Sequence, residues 1–166
     1  MEKIKKNKSK FFAVVLFLFI FVSGCSYTAN RILPENIRNI NVSMFLNKTL
    51  KYRLENLLSD AIIEELIMDG RLKVVEQSES DCSLSGEIVQ FLKQPVNTDR
   101  SNNVLENKLT LIINIILKDK KGNVILEKKN ISESYNYPER QSEQDAMVRL
   151  IKNLSRKIVI QIIEKE

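Results

Sequence analysis

The segment "LTLIINIILKD", starting at Leu109, constrains the fold more than any other part of the chain. Leu109, Leu111, Ile113, Ile115 and Leu117 alternate with other residues over nine positions, the period-two pattern of a strand that buries one face. The turn "DKKGN" (119–123) and the run "VILEKKNISESY" then read as a return strand, making 109–135 a hairpin. Ile112 and Ile116 place apolar side chains on the opposite face as well. That leaves two readings: a sheet that meets something on its second side, or a central strand shielded by its neighbours.

The rest of the chain must cover this hairpin. Ile40, Val42 and Met44 alternate with Asn39, Asn41 and Ser43 and predict a strand; "LNKT" follows as a turn and helix start. From about Leu50 to Asp69 the period changes. Leu54, Leu57, Leu58, Ala61, Ile62 and Leu66 share a helical face, and Gly70 stands where a glycine ends a helix. "RLKVVE" predicts another strand and "CSLSGEIVQFL" (82–92) a longer one, with Pro95 and "NTDRSNN" (97–103) as a loop. Ser142, with Asp145 three residues on, opens a helix through Met147, Leu150, Ile151, Leu154, Ile158 and Ile162. Val159, Ile160 and Ile163 widen its apolar face, for a partner or for a broader core. The economical packing is an α+β two-layer sandwich, with two helices on one face of a mostly antiparallel or mixed sheet of four to five strands.

The N-terminus has a different logic. "MEKIKKNKSK" is basic, and residues 11–22 are twelve consecutive apolar residues. A bilayer-spanning helix needs about 20, so this is the n-region and h-region of a secretory signal. Val22-Ser23-Gly24-Cys25 resembles a bacterial lipobox. In that reading residues 1–24 are cleaved, and Cys25 takes a diacylglycerol thioether and an N-acyl chain, enough for stable anchoring. An ordinary signal followed by a chance cysteine is the other reading. Residues 25–36 are then a tether and 37–166 one domain. Ser26 lacks the aspartate that signals inner-membrane retention, which points to the outer membrane.

Removing the signal changes what composition implies. Five lysines and one glutamate of residues 1–10 hold four of the chain's five net positive charges, so a nucleic-acid partner is not expected. Cys82 is left as a lone thiol with no internal disulfide partner. With no histidine in the chain, Ser-His-Asp and Cys-His catalysis and histidine-based zinc sites are excluded. The four glycines build no phosphate-binding loop. No pair of carboxylates stands out as an acid/base couple. An enzyme is not expected, nor a cofactor or metal. Sequons at Asn41, Asn47, Asn130 and Asn153 read as chance in a bacterial-looking chain.

The ordered set of segments resembles a known family. "LPENIRNINVSMFLNKT", "LLSDAIIEELIMDGRLKVVEQSESDCSLSGEIVQF" and "LTLIINIILKDKKGNVILEKKNIS" resemble LptE, the LPS-assembly lipoprotein family. Most specific are F-x-N-x-T, then "DGRLKVV", an acidic "ESD" and L-x-G-x-(I/V). The resemblance implies an outer-membrane lipoprotein facing the periplasm and the lumen of an LptD-like β-barrel, the LPS translocon. It would plug that barrel, help it assemble and bind lipopolysaccharide. Lys118, Lys120, Lys121, Lys128 and Lys129 are the candidates for phosphate contact, on charge alone. A solvated turn is the plainer reading of them. A lipoprotein that regulates a peptidoglycan enzyme through protein contacts is the alternative function.

Overall fold

The computed structural model describes residues 33, 34 and 36–164; the expected signal, Cys25 and most of the expected tether lie outside the described residues. The elements are β1 (Asn39–Val42), β2 (Leu46–Asn47), α1 (Leu54–Asp69), β3 (Lys73–Val74), β4 (Cys82–Thr98), β5 (Val104–Asp119), β6 (Val124–Pro138) and α2 (Glu143–Ile163). They form one mixed sheet in the order β3-β1-β4-β5-β6, with β2 also paired to β4. β4, β5 and β6 are antiparallel, whereas β1 runs parallel to both β3 and β4. Both helices pack on one face, so the α+β two-layer arrangement expected from the periodicities is the one formed.

β5 is the centre of the sheet. Leu109, Leu111, Ile113, Ile115 and Leu117 are all buried, against α2 and the core below it. Burying each such side chain contributes roughly 1.5–3 kcal/mol, which explains why this strand pairs along its whole length on both sides. On the other face Ile112 and Ile116 are half-buried. Their cross-strand neighbours are Gln90 and Ser132 for Ile112, and Ser85 and Glu127 for Ile116. The shielded-centre reading therefore accounts for them, and the uncovered face is mostly polar.

α2 begins where Ser142 Oγ accepts from Gln144 N at 3.2 Å. Val159 and Ile163 join its core face, and only Ile160 of the three widening residues is exposed. α1 buries Leu54, Leu58, Ile62 and Leu66 completely. It ends at Gly70, φ 73°, whose N–H donates to Leu66 O as a left-handed terminal residue does.

Three expectations shift. Met44 lies outside β1 and is exposed; α1 starts at Leu54, later than its pattern suggests; and "RLKVVE" yields only a two-residue strand. The fourth is a correction: Pro95 is not in a loop. β4 continues to Thr98, with Pro95 opposite Asn107. Past Ile88, β4 has no strand on its outer side among the described residues, so a missing N–H at Pro95 costs no ladder bond.

Candidate functional site

The signature residues are where geometry says most, and they act as fasteners. Phe45 is 2% exposed, and its ring lies over Gly86; a Cβ on Gly86 would sit 2.4 Å from Phe45 Cε1 and 2.4 Å from Asn114 O. F-x-N-x-T and L-x-G-x-(I/V) are thus one contact seen from two sides. Asn47 Nδ2 donates to Lys51 O and Glu55 Oε2, both at 2.8 Å, while its Oδ1 accepts from Thr49 N (2.9 Å) and Thr49 Oγ (2.8 Å). The Asn-x-Thr spacing that mimics a sequon is used for an Asx turn that delivers the chain to α1. Arg53 follows in the left-handed region, φ 68°.

The "DGR" and "ESD" pieces serve similarly. Asp69 takes Arg71 Nη2 at 2.6 Å and Nε at 2.8 Å, and this pairing holds its carboxyl below the usual range. Asp81 accepts from Asn39 N (2.9 Å) and Arg38 N (3.1 Å), with Lys120 Nζ at 3.4 Å. Those backbone N–H groups, and Lys120 after them, lower its pKa. A depressed folded-state pKa means stability present above the unfolded value, near 4, and lost as pH falls through the folded one. Asp81→Asn is expected to cost about 1 kcal/mol at pH 7, a difference that narrows as pH falls below the ordinary aspartate range, measured by urea unfolding across that range.

The five lysines do not converge on one point. Lys118, Lys120 and Lys121 surround the β5–β6 turn, where Asp119 accepts from Lys121 N and Asn123 N, both at 2.8 Å. Lys128 and Lys129 lie at a bulge in β6, roughly 15 Å further along the strand at the usual rise per residue. Lys120 is paired with Asp81, and Lys129 with Glu127 at 3.1 Å. Lys118 and Lys121 are exposed at the turn. Cys82 is buried against Asn39 O at 3.7 Å, and burial pushes its thiol up to about 11, so it is an inert core side chain.

One polar chain crosses the uncovered face, built from residues that no local pattern links. Glu87 takes Lys48 Nζ and Asn114 Nδ2 (2.7 Å), and those two contacts lower its pKa. Asn114 Oδ1 accepts from Asn130 N at 2.8 Å, where Asn130 has φ 56° at the β6 bulge. Beside it a shallow hollow of about 290 Å³ is lined by Leu46, Ser85, Glu87, Ile116 and Lys129. Glu143 at the start of α2 gathers Lys51 (2.6 Å) and Lys93 (3.1 Å), and its pKa is lowered by them. No group of three or more potential metal ligands occurs among the described residues. No helix among them is long and apolar enough to cross a membrane.

The fold these fasteners hold together is shared with other proteins. A family model for LptE, lipopolysaccharide-assembly, matches residues 37–162, almost the whole described body. The chain belongs to the LptE family. No curated protein matches it in sequence. Among solved structures it is similar to a hypothetical protein, CT253, from Chlamydia trachomatis, at 13% identity and TM-score 0.57, covering 76% of this chain and 95% of that one. It is also similar to a minor lipoprotein from Acinetobacter baumannii, at 15% identity and TM-score 0.53, covering 80% of this chain and 98% of that one. A putative lipoprotein from Caulobacter crescentus follows at 18% identity and TM-score 0.51, covering 72% of this chain and 87% of that one. These likenesses concern the fold. The family membership makes the chain a lipopolysaccharide-assembly protein.

Proposed function

We propose that this chain is a lipid-anchored, non-enzymatic subunit of the outer-membrane LPS translocon. It is held by acyl chains on Cys25 and seated in the lumen of a large β-barrel as a plug and assembly factor. The observation that carries the reading is the family match over residues 37–162, directly downstream of a lipobox-like sequence. The physics of the surface supports it. The lumen of a large outer-membrane barrel is polar, and the face of the sheet opposite the helices is polar too, with its two isoleucines half-buried. Lipopolysaccharide phosphates would find charge-assisted contacts at the β5–β6 turn, where Lys118 and Lys121 are exposed, and at Lys120, Lys128 and Lys129 in exchange for their present partners.

A mild-detergent pull-down of tagged protein from its own outer membrane tests this. A large β-barrel at about one copy per copy is the expected result. Cys25→Ala should shift the protein out of the membrane fraction in a strain whose barrel is depleted. Recovery of a cell-wall synthase with no barrel would overturn the reading in favour of an envelope-enzyme regulator.

A further inference from the structure

Beyond the short strands β1, β2 and β3 the sheet presents two long outer edges, β6 and the far half of β4, and they are treated differently. At β6 the edge is obstructed in its middle: Asn130 turns the strand through a left-handed bulge, and Lys157 of α2 donates to Ser132 O at 2.8 Å and pairs with Glu133. At β4 the edge is covered only in part. β1 pairs with Cys82–Leu84 and β2 with Glu87–Ile88, and the last bond is Lys48 N to Ile88 O at 3.0 Å. Beyond it β4 runs on through Thr98, paired to β5 but with no strand on its outer side among the described residues.

The hydrogen-bonding parity of this open stretch can be read. The carbonyls of Leu84 and Ile88 point outward, since Ser43 N and Lys48 N bond to them. A bulge at Val89 breaks the register once, after which Phe91, Lys93 and Pro95 oppose Leu111, Leu109 and Asn107. Alternation then directs the N–H and C=O of Phe91 and Lys93, and the C=O of Pro95, toward the open side. Pro95, which has no N–H to offer, falls at an outward position, as this parity requires. At the near end of the edge, Leu50 is fully exposed and Val89 partly so, and with Lys48, Lys51 and Phe91 they line a hollow of about 470 Å³. The loop carrying Leu50 is not slack: the four Asn47 bonds and the Lys51–Glu143 pair fix it.

We infer that the outer edge of β4 from Gln90 to Pro95 receives an extended segment of the barrel partner as an added strand. Unpaired backbone groups alternating along a strand are matched only by another extended backbone. The six residues Gln90 to Pro95, spanning roughly 17 Å, lie between the Val89 bulge and the irregularity after Pro95. Leu50 and Val89 supply the apolar contact at one end. The inference rests on the translocon reading and adds the place and manner of attachment.

The test uses the full-length lipidated protein in its own outer membrane. A photo-reactive residue replaces Gln90 or Gln94, both exposed, and Asn136 on β6 serves as the control position. The expected result is cross-linking of both edge positions to one short barrel segment, at sites about four residues apart, with none from Asn136. Lys93→Pro removes one outward N–H and the Glu143 pair, whereas Lys93→Ala removes only the pair. Barrel retention in a salt wash should fall about tenfold for proline and stay near wild type for alanine. Cross-links to a second copy of this chain, or no edge cross-links while the barrel still co-purifies, overturn the inference and leave the translocon reading standing. If no barrel co-purifies with the wild type, both fall.

Discussion

Gly86→Val is expected to yield no folded protein, and Gly86→Ala to lose about 3 kcal/mol of stability. Gly86 sits on the core-facing side of β4, between the ring of Phe45 and the carbonyl of Asn114. A methyl group there would lie 2.4 Å from Phe45 Cε1, 2.9 Å from Phe45 Cδ1 and 2.4 Å from Asn114 O. The ring is buried and has nowhere to swing, and the carbonyl belongs to the middle of β5, held by strands on both sides. Relief therefore requires moving the central strand. A domain this size has only 5–15 kcal/mol to lose, so valine, with two further methyls, exceeds what it can absorb. Soluble yield and far-UV circular dichroism read the valine variant, and urea midpoints the alanine one. Phe45→Leu combined with Gly86→Ala removes the ring contact but not the carbonyl contact, so it should recover part of the loss. An alanine variant within 0.5 kcal/mol of wild type would mean that β5 gives way more easily than this packing allows.

The same pair of residues marks what a sequence can and cannot disclose. Leu109 to Leu117 and the α2 heptad-like face were legible because burial on one side imposes a period, and periods survive in the order of residues. Gly86 was visible as part of a motif, yet its reason was not, because the ring it faces comes from a segment forty-one positions earlier in the chain. Pro95 misled for a definable cause. Proline is excluded from a paired N–H position, but β4 becomes an edge after Ile88, and whether a strand is an edge depends on where its neighbours stop. The start of α1 was placed too early since Leu50 fits the apolar pattern by type; it is instead the most exposed large apolar side chain described. The lysines are picked out by charge alone, and the strand geometry sets them in two groups, Lys118, Lys120 and Lys121 at the turn and Lys128 and Lys129 further along β6. The polar chain from Lys48 through Glu87 and Asn114 to the Asn130 amide joins four segments, and no local pattern announces it.

Asn47→Ala should cost about 2–3 kcal/mol and free the loop that displays Leu50 and Tyr52. An asparagine side chain has two donors and two acceptor lone pairs, and at Asn47 all four are used within the chain. Alanine leaves Lys51 O, Thr49 N and Glu55 without these partners. Solvent reaches this half-buried site and replaces some of them, so the loss stays below the sum of four bonds. Limited trypsin digestion offers a local reading, since Lys48, Lys51 and Arg53 all lie in the loop, and cleavage there should quicken by about tenfold. Asn47→Asp separates shape from chemistry. It keeps the acceptor for Thr49 but loses the donors to Lys51 and Glu55 and sets a second carboxylate beside Glu55. Its deficit should therefore shrink as pH falls toward 4 and the pair takes up a proton, while that of the alanine variant should not. Equal pH profiles for the two variants would show that Asn47 fills space rather than organising charge and hydrogen bonds. A loop loosened in this way also releases Leu50 from the mouth of the open β4 edge. Loss of barrel retention in step with faster cleavage would then tie the fixed loop to the added strand.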